Sequence, residues 1–525
     1  MTTNFPPNPS PRPTIPPLRH ATLSNLHHAL SHHSVTPTDL VQAYTHRIHE
    51  TNSQFHAVIQ LNPTALADAH TLNHTPHPAT RLHGIPILLK DNIPTLDATN
   101  TTCGSLALVG ARPASEAAVV TALRRAGAIV LGKANMAQWS GFRSTSGCSG
   151  WSARGGQGVG VYCCGMKASG SSGGCAVGVA LGLCGAAVGT ETCYSIVSPA
   201  EKAGVVGFKP TRGLISSEGI IGASKRLDTV GFLTRCVEDA VTMVVAVVCQ
   251  SEHLAPVERS KAVQGIAVAC LKIALSGVRI GVPWNLSDLK TLHRDKFEPF
   301  KRALDALECA GATIVHNVII SGAEEYEALS PSEKQIILDT DMKIAINSYL
   351  SSLTTNPQNI HDLRDLIEFT KSCPGEEYPH RNVEGLERAQ ATDADDELYQ
   401  SMLAKDEYFA GEGGIDGALN RHECNVLLIP TLSVTLQTFA AKAGSPVMSV
   451  PMGSFAEGTE VEVDAKNGLV NIAPGIPFSA YIFGRAASDE DVLKVGYVLE
   501  QMVDVGENLV PYLEPTTEVV DVQSS

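Results

Sequence analysis

Residues 84–91 read GIPILLKD, residues 116–128 EAAVVTALRRAGA and residues 129–135 IVLGKAN. The outer two are short runs of leucine and β-branched side chains, the texture of strands, and the middle one has a helical pattern. A strand–helix–strand unit in that order predicts an α/β fold. Upstream, ATLSNLHHALSHHSVTPTDLVQAYTHRIHETN (21–52) spaces apolar residues by three and four at Leu23, Leu26 and Leu30, then at Leu40, Ala43, Tyr44 and Ile48. This predicts two helices at an edge of the fold, the second with Thr38 as its N-cap.

Downstream, residues 141–175 are rich in Gly, Ser and Cys without periodicity, and loops of that length within a compact domain tend to be functional. The run AVGVALGLCGAAVG (176–189) reads as a helix of small residues able to approach a sheet closely, ahead of VVGFKPTRG (205–213). Residues 320–415 are polar and helical in pattern, which predicts a helical insertion or cap. Strand-like NVLLIPT (425–431) and PVMSVPMGS (446–454) resume the core, and DEDVLKVGYVLEQMV (489–503) reads as an amphipathic helix. The expected architecture is a mixed, twisted β-sheet flanked by helices. It divides into a disordered proline-rich tail (1–20), a single domain (21–512) and a flexible tail (513–525).

Composition narrows the function classes. With 43% hydrophobic and 18% charged residues the chain has material for a large core. A formal net charge of -15 and no Lys/Arg cluster argue against a nucleic-acid partner, whose phosphates need clustered cations. The 13 cysteines are odd in number and include the vicinal Cys163–Cys164, with no CxxC pair; they read as reduced thiols. The N-terminal MTTNFPPNPSPRPTIPP lacks the basic and apolar regions of a secretory signal, and no run of 18 apolar residues occurs. The expectation is a cytoplasmic enzyme acting on a small molecule, with neither membrane nor nucleic acid as partner; a homodimer is left open.

Three motifs offer rival readings, the last of them the runner-up enzyme. Residues 127–133, GAIVLGK, match a phosphate-loop pattern, but Ala134 stands where a hydroxyl should hold magnesium and the middle is an apolar strand. His27, His28, His32 and His33 include helical pairs able to bind a metal, yet no carboxylate or cysteine completes a ligand set nearby, and a solvated helix face is the plainer reading. The run Gly170–Gly174 satisfies GxSxG around Ser172, an ester-hydrolase elbow that would need a strand before it and a partner such as His422.

A stronger signal comes from three segments together. Lys90 ends an otherwise apolar strand, where desolvation would lower its pKa from about 10.4 toward neutrality and make it a base. Ser171 and Ser172 sit among glycines in the long loop, and GTETCYSIVSPA (189–200) places Ser195 in a turn. A serine hydroxyl needs an adjacent base to act as a nucleophile.

These segments resemble the amidase-signature family, whose core reads GSSSGGSA and then GTDTGGSIRxPA about 24 residues on; here Ser171 and Ser195 hold that separation. The resemblance runs from about residue 21 to about residue 510. It includes LHGIPILLKDNI, VVTALRRAGAIVLGKANMAQWSGFRS and SAYIFGRAASDEDVLKVGYVLEQ, with details closest to a fungal branch similar to the glutamyl-tRNA(Gln) amidotransferase A subunit. It implies a hydrolase of carboxamides with Ser195 as nucleophile, Ser171 as a bridging serine with a cis peptide and Lys90 as general base. Thr192, Cys193, Tyr194 and Ser195, with Ser172, would surround the oxyanion or substrate. No metal or organic cofactor is implied.

The departures carry expectations of their own. Cys193–Tyr194 replaces the family's glycines, and a tyrosine avoids positive φ, which would misplace an oxyanion donor; because the Ser-Ser-Lys set is retained, a weak or specialised amidase is expected, the alternative being an impaired homologue kept for binding. Val197 and Ser198 stand where relatives acting on acidic substrates carry arginine, so the substrate is expected to be neutral or apolar unless Arg143 or Arg154 substitutes.

Overall fold

In a computed structural model, which describes residues 15–74, 80–145, 148–503 and 505–523, eleven strands form one mixed sheet. They are β1 (Val58–Leu61), β2 (Pro86–Lys90), β3 (Ile129–Ala134), β4 (Ala186–Glu191), β5 (Val206–Lys209), β6 (Thr229–Thr234), β7 (Arg279–Pro283), β8 (Thr313–Val318), β9 (Val426–Ile429), β10 (Val447–Ser454) and β11 (Pro477–Gly484). The spatial order is β1-β3-β2-β4-β6-β5-β10-β11-β9-β7-β8. Strand β2 lies between β3 and β4, parallel to both, with Leu89 opposite Lys133 on one side and Val188 on the other. All five residues of β2 and all six of β4 are buried, as befits strands covered on both faces, the polar Lys90, Thr190 and Glu191 standing only at their C-terminal ends.

The helices that matter for the site are α1 (Leu23–Ser31), α2 (Pro37–Phe55), α3 (Ala118–Arg125), α4 (Gly173–Ala180), α5 (Val197–Ala203), α6 (Pro331–Ser351) and α7 (Val519–Gln523). The unit β2–α3–β3 is the expected strand, helix and strand. Helix α2 starts earlier than its pattern suggests. Thr36, not Thr38, is the N-cap, in a reciprocal box in which the Asp39 amide donates to Thr36 Oγ1 and the Thr36 amide to Asp39 Oδ2. Pro37 takes the first helical position, where its missing N–H is harmless. Thr38 instead accepts from Asn73 Nδ2.

The run at 176–189 is only half helical: α4 ends at Ala180, Gly182 turns the chain at φ +61°, and the remainder enters β4 at the middle of the sheet. Small residues serve both elements. A Cβ on Gly189 would come 2.9 Å from Ser172 Oγ, so a glycine here lets the strand lie against the serine loop.

Between β8 and β9 the chain runs through six α-helices spanning Ala323–Arg421, in the region expected to be helical. One face of α6 packs Met342, Ile346 and Leu350 with Leu108, Met136, Trp139, Leu363 and Leu386 into a separate core. No helix among the described residues is long and apolar enough to cross a membrane.

Near both ends of the described residues the chain packs against the domain. Most of the 1–20 segment lies outside the described residues, but Leu18 is buried and its amide donates to Glu518. At the other end α7 buries Val519 and Val522. The fully buried Arg47 of α2 donates to Thr517 O and Glu518 Oε1 as well as to Gly182 O and Leu181 O. The first two partners are some 470 residues away in sequence, so no local pattern reveals them. Deleting residues 513–525 is expected to destabilise the fold by roughly 2–4 kcal/mol, because it removes partners of a buried guanidinium. Urea unfolding of the truncated chain checks this; an unchanged midpoint would restore the flexible-tail reading.

Candidate active site

The C-terminal ends of the adjacent parallel strands β2 and β4 bring Lys90 beside Thr190 and Glu191, and open parallel sheets place their ligand sites at such ends. Lys90 is completely buried, and burial pushes its ammonium down to about 8. Its Nζ lies 2.7 Å from Ser171 Oγ, 2.9 Å from Thr190 O and 2.9 Å from Thr190 Oγ1. As an ammonium it donates to all three. As an amine it has two protons and one lone pair, so it can keep both bonds to Thr190 and accept the Ser171 hydroxyl proton instead. Asn92 Nδ2 donates to Thr190 Oγ1 and to Ile221 O, which fixes the threonine from its other side.

The Gly170–Ser171 peptide is cis, and the Ser171 carbonyl accepts from the Ala137 amide. Ser195 is half-buried in the turn that joins β4 to α5, and its carbonyl accepts from the Ser172 amide at 3.0 Å, which fixes the two serine loops against each other. Lys90 thus meets Ser171, 81 residues on, and the loop of Ser195, a further 24 residues on, is fixed to Ser172 through its backbone.

Glu191 shapes the turn, a contribution not foreseen from sequence. Its Oε2 accepts from the amides of Ile196 (2.7 Å) and Val197 (3.0 Å), drawing the chain after Ser195 back over the strand end. Burial raises its carboxyl to about 7 despite nearby Lys209 and these two amides. Among the described residues, the amides of Thr192, Cys193, Tyr194 and Ser195 donate to no protein acceptor. Four consecutive amides without a protein acceptor, that of Ser195 among them, are donors of the type that can hold a developing oxyanion. Thr192 Oγ1 donates to Asp228 Oδ1 at 2.6 Å, and Asp228 Oδ2 accepts from the amides of Ala223 and Ser224, so a second carboxylate holds the other flank. Asp228 stands in LDTVGF (227–232), where nothing local marks a role; Glu191 could be suspected only from its place in the Ser195 motif.

Neither Cys193 nor Tyr194 has positive φ, so the backbone of this turn does not require glycine at either position. Cys193 is pushed up to about 12 by burial, which keeps its thiol protonated next to the serine. Ser172, expected beside the oxyanion or substrate, is fully buried; besides the amide held by Ser195, its hydroxyl donates to Thr190 O. The ester-hydrolase elbow is not built around it, since helix α4 follows it but no strand precedes it, and His422 accepts from the Ile319 amide. Lys133 of the phosphate-loop pattern is buried in β3 and donates to Ile93 O and to Thr101 Oγ1.

A cleft of about 630 Å3 meets the site at Asn92, Thr190, Thr192 and Asp228. Another wall is α6, through Ala345, Ser348 and Tyr349, with its C-cap Ser352, which shows which side of that helix faces inward. Neither arginine suggested as a carboxylate partner is available. Arg143 is fully buried against Glu376 Oε2 at 2.9 Å, and Arg154 lies 3.6 Å from Asp91 and donates to Gln60.

The chain is similar to known proteins over most of its length. The Amidase family matches residues 39–493. A protein of Arthroderma benhamiae named as an amidase is 37% identical over 488 residues, 91% of this chain and 81% of its own length. Native peptide amidase from Stenotrophomonas maltophilia superposes with a TM-score of 0.79 at 32% identity, covering 95% of this chain and 98% of the other. An amidase family protein from Bacillus anthracis, at 24% identity and a TM-score of 0.76, covers 94% of this chain and 92% of its own and shares the fold. A match over most of the chain, relatives above 30% identity and the same mixed α/β fold establish that this chain belongs to the amidase-signature family, hydrolases that act on amides.

Proposed function

We propose that the protein hydrolyses a small carboxamide through Ser195, Ser171 and Lys90. Neutral Lys90 accepts the proton of Ser171, which accepts that of Ser195 as its oxygen attacks the amide carbonyl. The tetrahedral oxyanion is held by the free amides of the Thr192–Ser195 turn. The intermediate collapses with cleavage of the C–N bond, and the proton returns along the same relay to the leaving amine or ammonia. Water then cleaves the acyl ester on Ser195, with the relay again taking its proton. The observation that carries this reading is the buried Lys90 Nζ in contact with Ser171 Oγ at 2.7 Å.

Val197 and Ser198 in place of arginine, with Arg143 and Arg154 held in internal ion pairs, support a neutral substrate. Ser172 contributes by holding the Ser195 carbonyl rather than by touching substrate. All 13 cysteines are unpaired, the state a reducing compartment maintains, which supports a cytoplasmic enzyme.

The test is covalent labelling of the purified protein with a fluorophosphonate probe, which needs no known substrate. Labelling is expected on Ser195 and is expected to vanish in Ser195→Ala. A well-folded wild-type protein that remains unlabelled would mean a site that binds without activating its nucleophile.

A further inference from the structure

Residues 222–228 form a loop on the cleft, which Gly222, Ala223, Lys225 and Asp228 line beside Thr190 and Thr192. One end of this loop is tied to the turn that carries the nucleophile. Thr192 Oγ1 donates to Asp228 Oδ1 at 2.6 Å, and Asp228 Oδ2 accepts from the amides of Ala223 (2.6 Å) and Ser224 (2.9 Å). The other end is tied to α6. Ser224 is fully buried, and its hydroxyl donates to Asp341 Oδ2 at 2.5 Å. Arg226 donates through Nε to the same oxygen at 3.2 Å and through Nη2 to Asp341 Oδ1 and to Tyr399 Oη. Tyr399 in turn donates to Asp341 Oδ1 at 3.3 Å. Asp341 stands one helical turn before Ala345, so the face of α6 that brings Ala345, Ser348 and Tyr349 to the cleft also brings Asp341 to the loop. The Arg226 side chain is 44% exposed, and such an ion pair by itself adds little to stability. What water cannot supply is a fixed acceptor for the buried Ser224 hydroxyl. From there, two further hydrogen bonds, Ser224 amide to Asp228 and Thr192 Oγ1 to Asp228, reach the first residue of the turn.

We infer that Asp341 is a positioning residue for the reaction: through Ser224 and Asp228 it fixes Thr192, and with it the amides of the Thr192–Ser195 turn. This rests on Ser195 being the nucleophile. An oxyanion donor is effective only when it is already aimed at the place where charge develops, and a misplacement of about 1 Å in a reacting geometry can cost about 100-fold in rate. Asp341 touches neither the nucleophile nor the base, so its effect is carried by the hydrogen-bond chain and must disappear once that chain is cut at its other end.

The experiment is a double-mutant cycle read by the rate at which a fluorophosphonate labels Ser195. In that reaction the serine oxygen displaces fluoride while negative charge builds on the phosphonyl oxygen, so the rate depends on the same amides. Asp341→Asn keeps the volume of the side chain, and Thr192→Val replaces only the hydroxyl; each is expected to slow labelling about tenfold. The double variant should be no slower than the slower single variant, because both substitutions break one chain. Losses that multiply, or an Asp341→Asn protein labelled at the wild-type rate, overturn the inference. The pH at which labelling reaches half its plateau should be the same in Asp341→Asn as in the wild type; a shifted midpoint would place the effect on Lys90 and also overturns it. If Asp341→Asn does not fold, Ser224→Ala replaces it in the cycle with the Arg226–Asp341 pair intact, and the same outcomes decide. An unlabelled wild type sinks the nucleophile assignment, whereas a labelled wild type with multiplying losses sinks only this inference.

Discussion

Replacing Lys90 by methionine is expected to lower kcat/KM by about 10^3-fold or more while leaving the protein folded, and Ser195→Ala to lower it by about 10^4-fold or more. Methionine preserves the length and apolar stem of the lysine inside β2 but cannot accept a proton. The loss therefore reports the base rather than a cavity, and an unchanged thermal midpoint would confirm that. Because residues of one relay act as a unit, the Lys90→Met/Ser195→Ala double variant should be no worse than Ser195→Ala alone. The pH dependence follows from the same group. Lys90 is useful only when neutral, and burial brings its pKa to about 8. Wild-type kcat/KM should then rise about tenfold per pH unit below that value and level off above it, with roughly a tenth of the molecules competent at pH 7. A Lys90→Met variant that keeps most of the activity, or a profile flat from pH 6 to 9, would exclude Lys90 as the base.

The second large effect is on stability. Glu376, in the helical region between β8 and β9, is completely buried, and each of its carboxylate oxygens accepts two hydrogen bonds. Ser105 Oγ and the Leu106 amide donate to one oxygen; Gln138 Nε2 and Arg143 Nη1 donate to the other. Arg143 also donates to the carbonyls of Glu376 and Arg381, and its guanidinium lies 5.2 Å from the Trp151 ring centre. Glu376→Ala is expected to cost about 3–5 kcal/mol, because it strands the Arg143 charge without a counterion. Activity should fall with it, since Gln138 adjoins Ala137, whose amide holds the Ser171 carbonyl. Replacing both partners, with Glu376→Leu and Arg143→Met, should recover much of the stability, as apolar groups can occupy that volume without a desolvation penalty. Thermal unfolding of the variants checks the order; a Glu376→Ala protein as stable as the wild type would show the ion pair to be dispensable.

Much of the site is legible in the sequence because it lies in contiguous stretches. Lys90 stands out as a lone charge ending an apolar strand, Ser171 lies among glycines, and Ser195 is marked by its turn and its separation of 24 residues from Ser171. The expectation that Tyr194 disturbs the turn rests on the same kind of local reading, which takes glycine's usual reason, positive φ, as the reason here. In the folded chain the turn has no positive φ at 193 or 194, and Glu191 holds the chain just beyond it through the amides of Ile196 and Val197. The N-cap of α2 is misread from sequence for a similar reason: Thr36 and Thr38 both flank Pro37, and only the reciprocal bond with Asp39 distinguishes them.

By itself the sequence determined the β2–α3–β3 unit, the helical region before β9 and the residues of the proposed relay, since periodicity, strand texture and motif spacing are properties of neighbouring residues. Only the tertiary structure decided that Asp228 and Glu191 flank the turn, that α6 walls the cleft, that Arg143 belongs to Glu376 and that Leu18 and Glu518 meet near Arg47. Most of these contacts join groups tens to hundreds of residues apart. Their stability comes from burial and from pairing charges away from water, which depend on where the chain is packed and leave no trace in local pattern.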